Sequence, residues 1–296
     1  MDVIDFGNLM TAMVTPFDKD LEVDYIRLQE LSLNLIDQKS TALVVCGTTG
    51  ESPTLNREEK LNVIRSVKEV TKNKVPLIAG TGSYNTKETI SLSKEAELSG
   101  ADALLIVNPY YNKPDQRGLY EHFKAIANSV TLPIIVYNHP GRTGVCVEAQ
   151  TIKKLAEVDN IVAVKDSSCN LDLMQQYKKV LPEDFKIFSG DDSMNFSIYC
   201  LGGVGAISVA SHVAGKEISE MFDALDKKDI ERAREIHYSL IDLFKVLFCA
   251  PSPAPVKAAL SMKGINVGGV RLPLMDLTEN DYNKVKDVIK RLYSIN

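Results

Sequence analysis

Ile161-Val162-Ala163-Val164-Lys165 is a run of four aliphatic residues closed by a lysine. A run that is continuously apolar, rather than alternating, is typical of a strand buried on both faces of a parallel sheet. Comparable runs occur at Leu9–Val14, Ala42–Cys46, Val75–Ala79, Ala103–Val107, Pro133–Tyr137, Phe185–Phe188 and Val204–Val209. Neighbouring runs start 19 to 33 residues apart, which leaves room for a helix after each strand. The pattern therefore predicts eight βα units.

The segments between the runs carry the signals of helix boundaries. Asn56 followed by Glu59 predicts a capping box, and Thr86 opens a second helix, Lys87–Ser99, with Gly100 at its C-terminal cap. Repeated βα units form either an open doubly wound sheet or a closed barrel. Eight units of this size favour the (β/α)₈ TIM barrel.

The pattern of strands stops at about Ser211. Three helical segments follow, roughly at Asp229–Phe248, Pro255–Met262 and Glu279–Tyr293, with no low-complexity linker before them. We therefore expect an α/β fold in which residues 1–225 form the catalytic barrel and residues 226–296 form a C-terminal helical region.

The composition of the 296-residue chain argues against several classes of protein. Hydrophobic residues make up 45% and charged residues 25%, as in globular domains, and the net charge of -5 is unlike that of a nucleic-acid binder. The sequence has no apolar run of transmembrane length and no pattern of a secretory signal at its start. The five cysteines never form Cys-x-x-Cys, so we expect reduced thiols and a cytoplasmic location. The four histidines lack ligand spacing, so we expect no metal site.

The active site of a TIM barrel lies at the C-terminal ends of the strands. The candidate segments there are Gly47–Ser52, Asn108–Tyr111, Tyr137–Gly144, Lys165–Ser168, Ser189–Asp192 and Gly205–Ser208. The first of them lacks the Gly-Lys-Ser/Thr ending of a phosphate loop, which argues against nucleotide binding. The pair Asp191-Asp192 is more typical of a helix N-terminal cap than of a catalytic dyad.

Lys165 is the strongest candidate for a reacting group. It ends an apolar strand, and burial disfavours the charged form of an amine, whose neutral form attacks carbonyls. Tyr137 ends the neighbouring strand and is able to pass protons to and from a carbinolamine. Thr48 offers a hydroxyl, and Arg142 a forked cation for a carboxylate. These groups suit an aldolase-like site for small oxo-acids that needs no cofactor, although a salt-bridged structural role for the lysine remains open.

Several motifs resemble the dihydrodipicolinate synthase family in order and spacing. They are Gly47–Ser52, Tyr110–Lys113, Tyr137–Gly144 with its Arg142-Thr143-Gly144, Lys165-Asp166, Ser189–Asp192, Pro253–Lys257 and Arg271–Leu274. The resemblance covers nearly the whole chain. It implies a lyase that condenses pyruvate with L-aspartate 4-semialdehyde on the route to diaminopimelate and lysine.

The resemblance also implies a role for each matching position. Lys165 would form the Schiff base, Tyr137 would donate and accept protons, and Thr48 and Tyr111 would complete the proton relay. Tyr111 would reach in from a neighbouring subunit, so the resemblance implies a homo-oligomer, commonly a dimer of dimers.

The remaining matching positions would bind substrate. Thr49 and the backbone of Ile207 would contact pyruvate, and Arg142 would contact the carboxylate of the semialdehyde. The covalent Schiff base takes the place of a cofactor, and no metal, nucleic acid or membrane is implied.

Two positions depart from the family pattern, since His139 stands where an aliphatic residue is usual and Cys169 where a glycine is common. Three alternatives remain: an N-acetylneuraminate or 2-keto-3-deoxy acid lyase using the same lysine and tyrosine, a non-catalytic oxo-acid sensor, and a metal-dependent aldolase. Arg142 argues against the first, the presence of every reacting residue type against the second, and the missing ligand cluster against the third.

A last expectation concerns regulation. Members of the family that are inhibited by L-lysine bind it in a crevice near the segment after Gly50-Glu51-Ser52, where typical sensitive members carry two histidines and an asparagine. The corresponding positions here hold Arg57, Lys60 and Tyr84, while Glu88 is retained. Added positive charge opposes a cationic ligand, so we predict weak inhibition by L-lysine.

Overall fold

The computed structural model describes residues 4–72 and 74–293, and its eight parallel strands close into one barrel. The strands are β1 (Leu9–Ala12), β2 (Ala42–Val45), β3 (Leu77–Gly80), β4 (Ala103–Val107), β5 (Ile134–Asn138), β6 (Ile161–Asp166), β7 (Lys186–Ser189) and β8 (Gly205–Ser208). Each strand pairs with the next, and β8 returns to β1 with Ala206 opposite Leu9. The predicted (β/α)₈ barrel with C-terminal helices is confirmed.

The strand boundaries differ from the predicted ones by at most two residues. The clearest case is β3, which begins at Leu77 rather than Val75. Pro76 lies between these two residues and has no N–H to donate to a neighbouring strand, although its carbonyl accepts from the Leu43 N–H at 3.0 Å. Strand pairing therefore starts after the proline, at Leu77 on the β2 side and at Ile78 on the β4 side.

The helices are α1 (Tyr25–Asp37), α2 (Arg57–Thr71), α3 (Thr86–Leu98), α4 (Gln116–Ala127), α5 (Pro140–Thr143), α6 (Ala149–Leu155), α7 (Leu171–Val180), α8 (Asn195–Cys200), α9 (Ser211–Asp226), α10 (Ile230–Val246), α11 (Ala254–Met262) and α12 (Glu279–Tyr293). The predicted capping box is present, since Asn56 Oδ1 accepts from the Glu59 N–H at 2.9 Å and Glu59 Oε2 accepts from the Asn56 N–H at 2.8 Å. Gly100, at φ +100°, follows the C-terminal cap of α3. Within the described ranges, no helix is long and apolar enough to cross a membrane.

The C-terminal region contains the three predicted helices, α10 to α12, but α9 before them was not predicted. The helical pattern of α9 is interrupted at Ala214, whose φ of -130° is non-helical, and Gly215 follows. A Cβ at Gly215 would lie 2.3 Å from the Gln38 carbonyl oxygen, so the glycine permits close packing on the end of α1. Because α10 packs along α9, the division of the chain at residue 225 stays a prediction.

Two apolar clusters build the core. The larger lies between the strands and the surrounding helices, and the smaller fills the barrel interior with Phe6, Met10, Ala12, Ala42, Val44, Ile78, Ala103, Leu105, Ile135, Tyr137, Ala163, Phe188 and Ile207. Side chains alternate between the two faces of a strand. Lys165, two residues after the inward-facing Ala163, is therefore the last inward-facing residue of β6.

Candidate active site

Lys165 stands at the C-terminal end of the barrel interior. Its register partners on the neighbouring strands are Tyr137 and Phe188, and it is only 5% exposed. The ammonium lies 4.2 Å from the centroid of the Tyr137 ring. Within the described residues its Nζ has no ion pair and no hydrogen bond. A Cβ at Gly190 would lie 2.0 Å from Ser167 Oγ and 2.8 Å from Lys165 Cε, so a larger residue at that position would displace both side chains.

A buried hydrogen-bond network fixes the strand ends on which Tyr137 and Lys165 stand. Asn138 Nδ2 donates to Asp166 Oδ1 at 2.8 Å, while Asn138 Oδ1 accepts from Asn108 Nδ2 at 3.0 Å. These bonds tie together the ends of β4, β5 and β6. Burial raises the pKa of the Asp166 carboxyl against the effect of its hydrogen bonds. The roles of Asn108 and Asn138 were not predicted, although each polar residue directly ends an apolar run, and that was the available signal.

A cavity of about 540 Å³ opens beside this network and is called the mouth cavity below. Two groups of its lining residues are called wings below: the first wing is Thr48, Tyr137, His139, Arg142 and Thr143, and the second wing is Arg57, Lys60, Tyr84, Glu88 and Tyr110. The structure thus brings together three of the predicted site residues, Thr48, Tyr137 and Arg142, around one space. Lys165 is not part of the cavity wall, but its ammonium contacts the ring of Tyr137, which is.

Like Lys165, the other three predicted residues lie outside the wall of the mouth cavity. Thr49 is buried in the loop after β2, and Ile207 is buried in β8 within the barrel interior. Tyr111 is 91% exposed, with a left-handed φ of +71° that holds its side chain away from the mouth cavity of its own chain. Within one chain, Tyr111 therefore does not join the site.

Arg142 is carried on the single turn α5, which directly follows β5. The Arg142 N–H donates to the His139 carbonyl at 3.0 Å, and Gly144 ends the turn at φ +74°. A Cβ at Gly144 would lie 2.7 Å from Lys113 Cε, so a second cationic side chain lies close to this turn. The Arg142 side chain is exposed, which leaves it free to meet an anion at the entrance.

His139 lies between Tyr137 and Arg142 in sequence and lines the same wing of the cavity. Its ring centroid is 5.7 Å from that of Tyr137. Burial, with smaller contributions from the cations Arg142 and Lys165, lowers the pKa of His139 to about 4. The imidazole is therefore neutral at pH 7.

A second lysine, Lys257, is also buried, and the sequence did not predict its contacts. Its Nζ is 2.7 Å from Glu51 Oε1, donates to the Gly269 carbonyl at 2.6 Å and lies 4.2 Å from the centroid of the Phe17 ring. Burial lowers the pKa of Lys257, while Glu51 opposes that shift. The Arg271 N–H also donates to Glu51, at 3.0 Å. Three of the resembling motifs therefore meet in one structural ion pair.

The acidic pair after β7 has a structural role. Asp191 caps a short helical turn by accepting from the Ser193 N–H at 2.9 Å, as predicted. Asp192 is buried and accepts from the Val209 and Ala210 N–H groups at 2.9 and 2.8 Å, which joins the ends of β7 and β8. Cys169 donates to Asp191, and burial together with that carboxylate raises the pKa of the thiol to about 12. In the part of the chain that the structure describes, no cluster of side chains is suited to a metal ion.

Known proteins resemble this chain over nearly its full length. Residues 5–292 match the model of the dihydrodipicolinate synthetase family. A 4-hydroxy-tetrahydrodipicolinate synthase of Desulforudis audaxviator is 48% identical, over 97% of this chain and 98% of the relative. The crystal structure of dihydrodipicolinate synthase from Bacillus anthracis has a TM-score of 0.96 at 46% identity, covering 97% and 99% of the two chains. That of the Acinetobacter baumannii synthase complexed with pyruvate has a TM-score of 0.95 at 40% identity, covering 99% and 100%.

Proposed function

The chain belongs to the dihydrodipicolinate synthetase family, and we propose that Lys165 is the residue on which its reaction takes place. The activity is that of a 4-hydroxy-tetrahydrodipicolinate synthase, a lyase of diaminopimelate and lysine biosynthesis that uses pyruvate. The second substrate is L-aspartate 4-semialdehyde. The observation that carries the assignment to Lys165 is its buried ammonium, which has no ion pair among the described residues and lies against Tyr137, a residue of the mouth cavity wall.

The first half-reaction forms a covalent bond between pyruvate and the enzyme. The neutral Lys165 amine attacks the keto carbon, and the resulting carbinolamine loses water to give an iminium. Tyr137 supplies and removes the protons, relayed by the Thr48 hydroxyl. The iminium then acts as an electron sink, so a methyl proton leaves and an enamine forms. The covalent Schiff base makes a separate cofactor unnecessary.

The second half-reaction joins the two substrates. The enamine carbon attacks the aldehyde carbon of the semialdehyde, whose carboxylate is bound by Arg142, and the new alkoxide takes up a proton. The amino group of the former semialdehyde then attacks the iminium carbon and displaces the Lys165 amine as the ring closes. Thr49 and the backbone of Ile207 contact pyruvate during these steps.

Borohydride reduction in the presence of pyruvate tests this assignment. The iminium is reducible, so we expect a stable lactyl-type adduct on Lys165, located by peptide mass spectrometry. Lys257 serves as an internal control, because its ammonium is also buried but is paired with Glu51. An adduct on Lys257, or no adduct on the active enzyme, would overturn the assignment.

We also propose that Tyr111 completes the relay of a neighbouring subunit in a homo-oligomer, a dimer of dimers. Its 91% exposure in the single chain supports this, since a large aromatic side chain held in a left-handed conformation is costly without a partner. Homomers of Tyr111→Phe and of Tyr137→Phe should each be weakly active. A mixed population should recover activity, because one site of a mixed dimer receives both native tyrosines. No recovery after verified subunit exchange would contradict the proposal.

We expect a cytoplasmic location for this enzyme. All five cysteines are free thiols, which suits a reducing compartment. Fractionation of the source cells with an antibody against the chain would check this expectation.

A further inference from the structure

His139 lines the mouth cavity but takes no part in the proposed mechanism. Its ring lines the cavity between Tyr137 and the turn that carries Arg142. Its Nδ1 atom is closed off from solvent, and neither ring nitrogen has a hydrogen-bond partner among the described residues, so Nε2 is the nitrogen that the cavity leaves accessible. An accessible imidazole nitrogen without a partner in the protein is open to a hydrogen bond from a ligand or from water. The ring is therefore suited to contact a bound molecule.

The second substrate has only one polar group that would lie at this position. L-Aspartate 4-semialdehyde carries a carboxylate at one end and an aldehyde at the other, with the amino group on the carbon next to the carboxylate. In the proposed reaction Arg142 binds the carboxylate, and the aldehyde reaches the enamine on Lys165. The amino group then lies between them, along the wing of the cavity that His139 lines.

The charges around His139 determine the protonation state of its ring, and with it the hydrogen bond that the ring is able to form with an amino group. The charged groups that face it are Arg142, Lys165 and Asp191, and the two cations together with burial keep the imidazole neutral. A neutral imidazole has one nitrogen with a free lone pair, which is able to accept a hydrogen bond from an ammonium. An aliphatic residue at this position offers no such acceptor.

We propose that His139 is a specificity-determining residue that accepts a hydrogen bond from the amino group of the second substrate. This inference rests on the proposed function, because it takes the positions of the two substrate ends from that reaction. The side chain of His139 then accounts for the preference for an amino aldehyde over an aldehyde that lacks the amino group.

Two apolar variants and one polar variant test the proposal. His139→Val, or His139→Leu if the valine variant folds poorly, removes the acceptor, whereas His139→Gln keeps a polar group at a similar reach. We expect the apolar variants to raise the KM for aspartate semialdehyde about tenfold, the typical effect of losing a hydrogen bond to a charged group. The KM for pyruvate should stay unchanged, and His139→Gln should keep most of the affinity.

Succinic semialdehyde distinguishes recognition of the amino group from a change in cavity shape, because it lacks only that group. Used as a competitor of aspartate semialdehyde, it should have the same inhibition constant in the wild type and in His139→Val. Equal weakening of both aldehydes, or an unchanged KM for aspartate semialdehyde, would overturn the inference. His122→Gln is the matched control, because burial also lowers the pKa of His122 to about 4 but this residue lies outside the cavity.

The borohydride experiment separates a failure of this inference from a failure of the proposed function. The pyruvate adduct on Lys165 should form equally in the wild type and in His139→Val, since pyruvate binds before the semialdehyde. If the adduct forms in both while the KM values agree, only the role of His139 is wrong. If the wild type forms no adduct on Lys165, the proposed function fails, and the inference fails with it.

Discussion

Two lysines are almost completely buried in this barrel, and their surroundings differ in one respect. Lys165 is 5% and Lys257 is 3% exposed, and the ammonium of each lies 4.2 Å from the centroid of an aromatic ring. The ammonium of Lys257 also contacts the carboxylate of Glu51 and a backbone carbonyl. For Lys165, the described residues provide the ring alone.

We infer that this difference separates a structural lysine from a reactive one. A buried charge that keeps a carboxylate partner stays charged, and it links segments that are distant in sequence. A buried amine that faces only an aromatic ring is not held by a carboxylate, so it is free to approach a carbonyl carbon. Burial by itself therefore does not identify the nucleophile, whereas burial without a counter-ion beside a cavity does.

The largest expected effect is the loss of activity in Lys165→Met. Without the amine no Schiff base forms, so we expect kcat to fall by about 10³-fold or more. The free energy of unfolding should hardly decrease, because the change replaces an unpaired buried amine with an apolar chain of similar length. Steady-state kinetics and urea unfolding measure the two quantities. Nearly normal turnover would show that Lys165 and Lys257 do not differ in the way described.

Lys257→Met should have the opposite profile. It leaves the Glu51 carboxylate buried without its partner, so we expect the free energy of unfolding to fall by about 3–5 kcal/mol. The adduct between pyruvate and Lys165 should still form in the folded fraction. In the double variant with Glu51→Gln, the loss of stability should be smaller than the sum of the two single losses, because the two residues are in contact. Additive losses would contradict the description of a mutually dependent pair.

Tyr137→Phe isolates the hydroxyl from the ring. Phe17 beside Lys257 shows that a ring without a hydroxyl suffices to cover a buried ammonium at 4.2 Å. Stability should therefore change little in Tyr137→Phe, while kcat falls by about 10²-fold, as expected for loss of a general acid–base group. A variant with most of its turnover would show that Tyr137 serves only for packing, as Phe17 does.

Most of the fold could be predicted because its signals are local. Each strand is a short apolar run, and the capping box at Asn56 and Glu59 lies within four neighbouring residues. The helix α9 escaped prediction because a non-helical residue and a glycine interrupt its pattern, and the reason for that glycine is a contact with the end of α1. A contact between segments that are distant in sequence leaves no local sequence pattern.

The site could be predicted only in part, for the same physical reason. Lys165 and Tyr137 each end an apolar strand, so the rule for barrel active sites selects them. The pairing of Lys257 with Glu51 depends on two distant segments that meet only in the folded chain. The sequence therefore left a salt-bridged role open for Lys165, and the structure assigns that role to Lys257 instead.

The smallest expected effect concerns a third lysine, Lys60, in the second wing of the mouth cavity. Burial lowers the pKa of Lys60, and the neighbouring Glu88 opposes that shift. Arg57 lies in the same wing, but its guanidinium donates to Glu95 at 2.8 Å and to Ser91 at 2.6 Å, so its charge is already matched. Lys60 is therefore the cation that competes with a basic ligand for Glu88.

We expect L-lysine at tens of millimolar to have little effect on the condensation of pyruvate with the semialdehyde. Its ammonium groups would meet the like charge of Lys60, and the ring of Tyr84, packed at 5.2 Å against that of Tyr110, takes up part of the space. Lys60→Ala should make inhibition stronger, whereas Arg57→Gln, the matched control, should change it less because Glu95 already neutralises Arg57. Strong inhibition of the wild type at sub-millimolar L-lysine would show that Glu88 is free to bind a cation despite Lys60. In that case Lys60 would lie beside the carboxylate of Glu88 without pairing with it. A neighbouring carboxylate would then no longer mark a lysine as structural, which is the criterion that distinguishes Lys257 from Lys165.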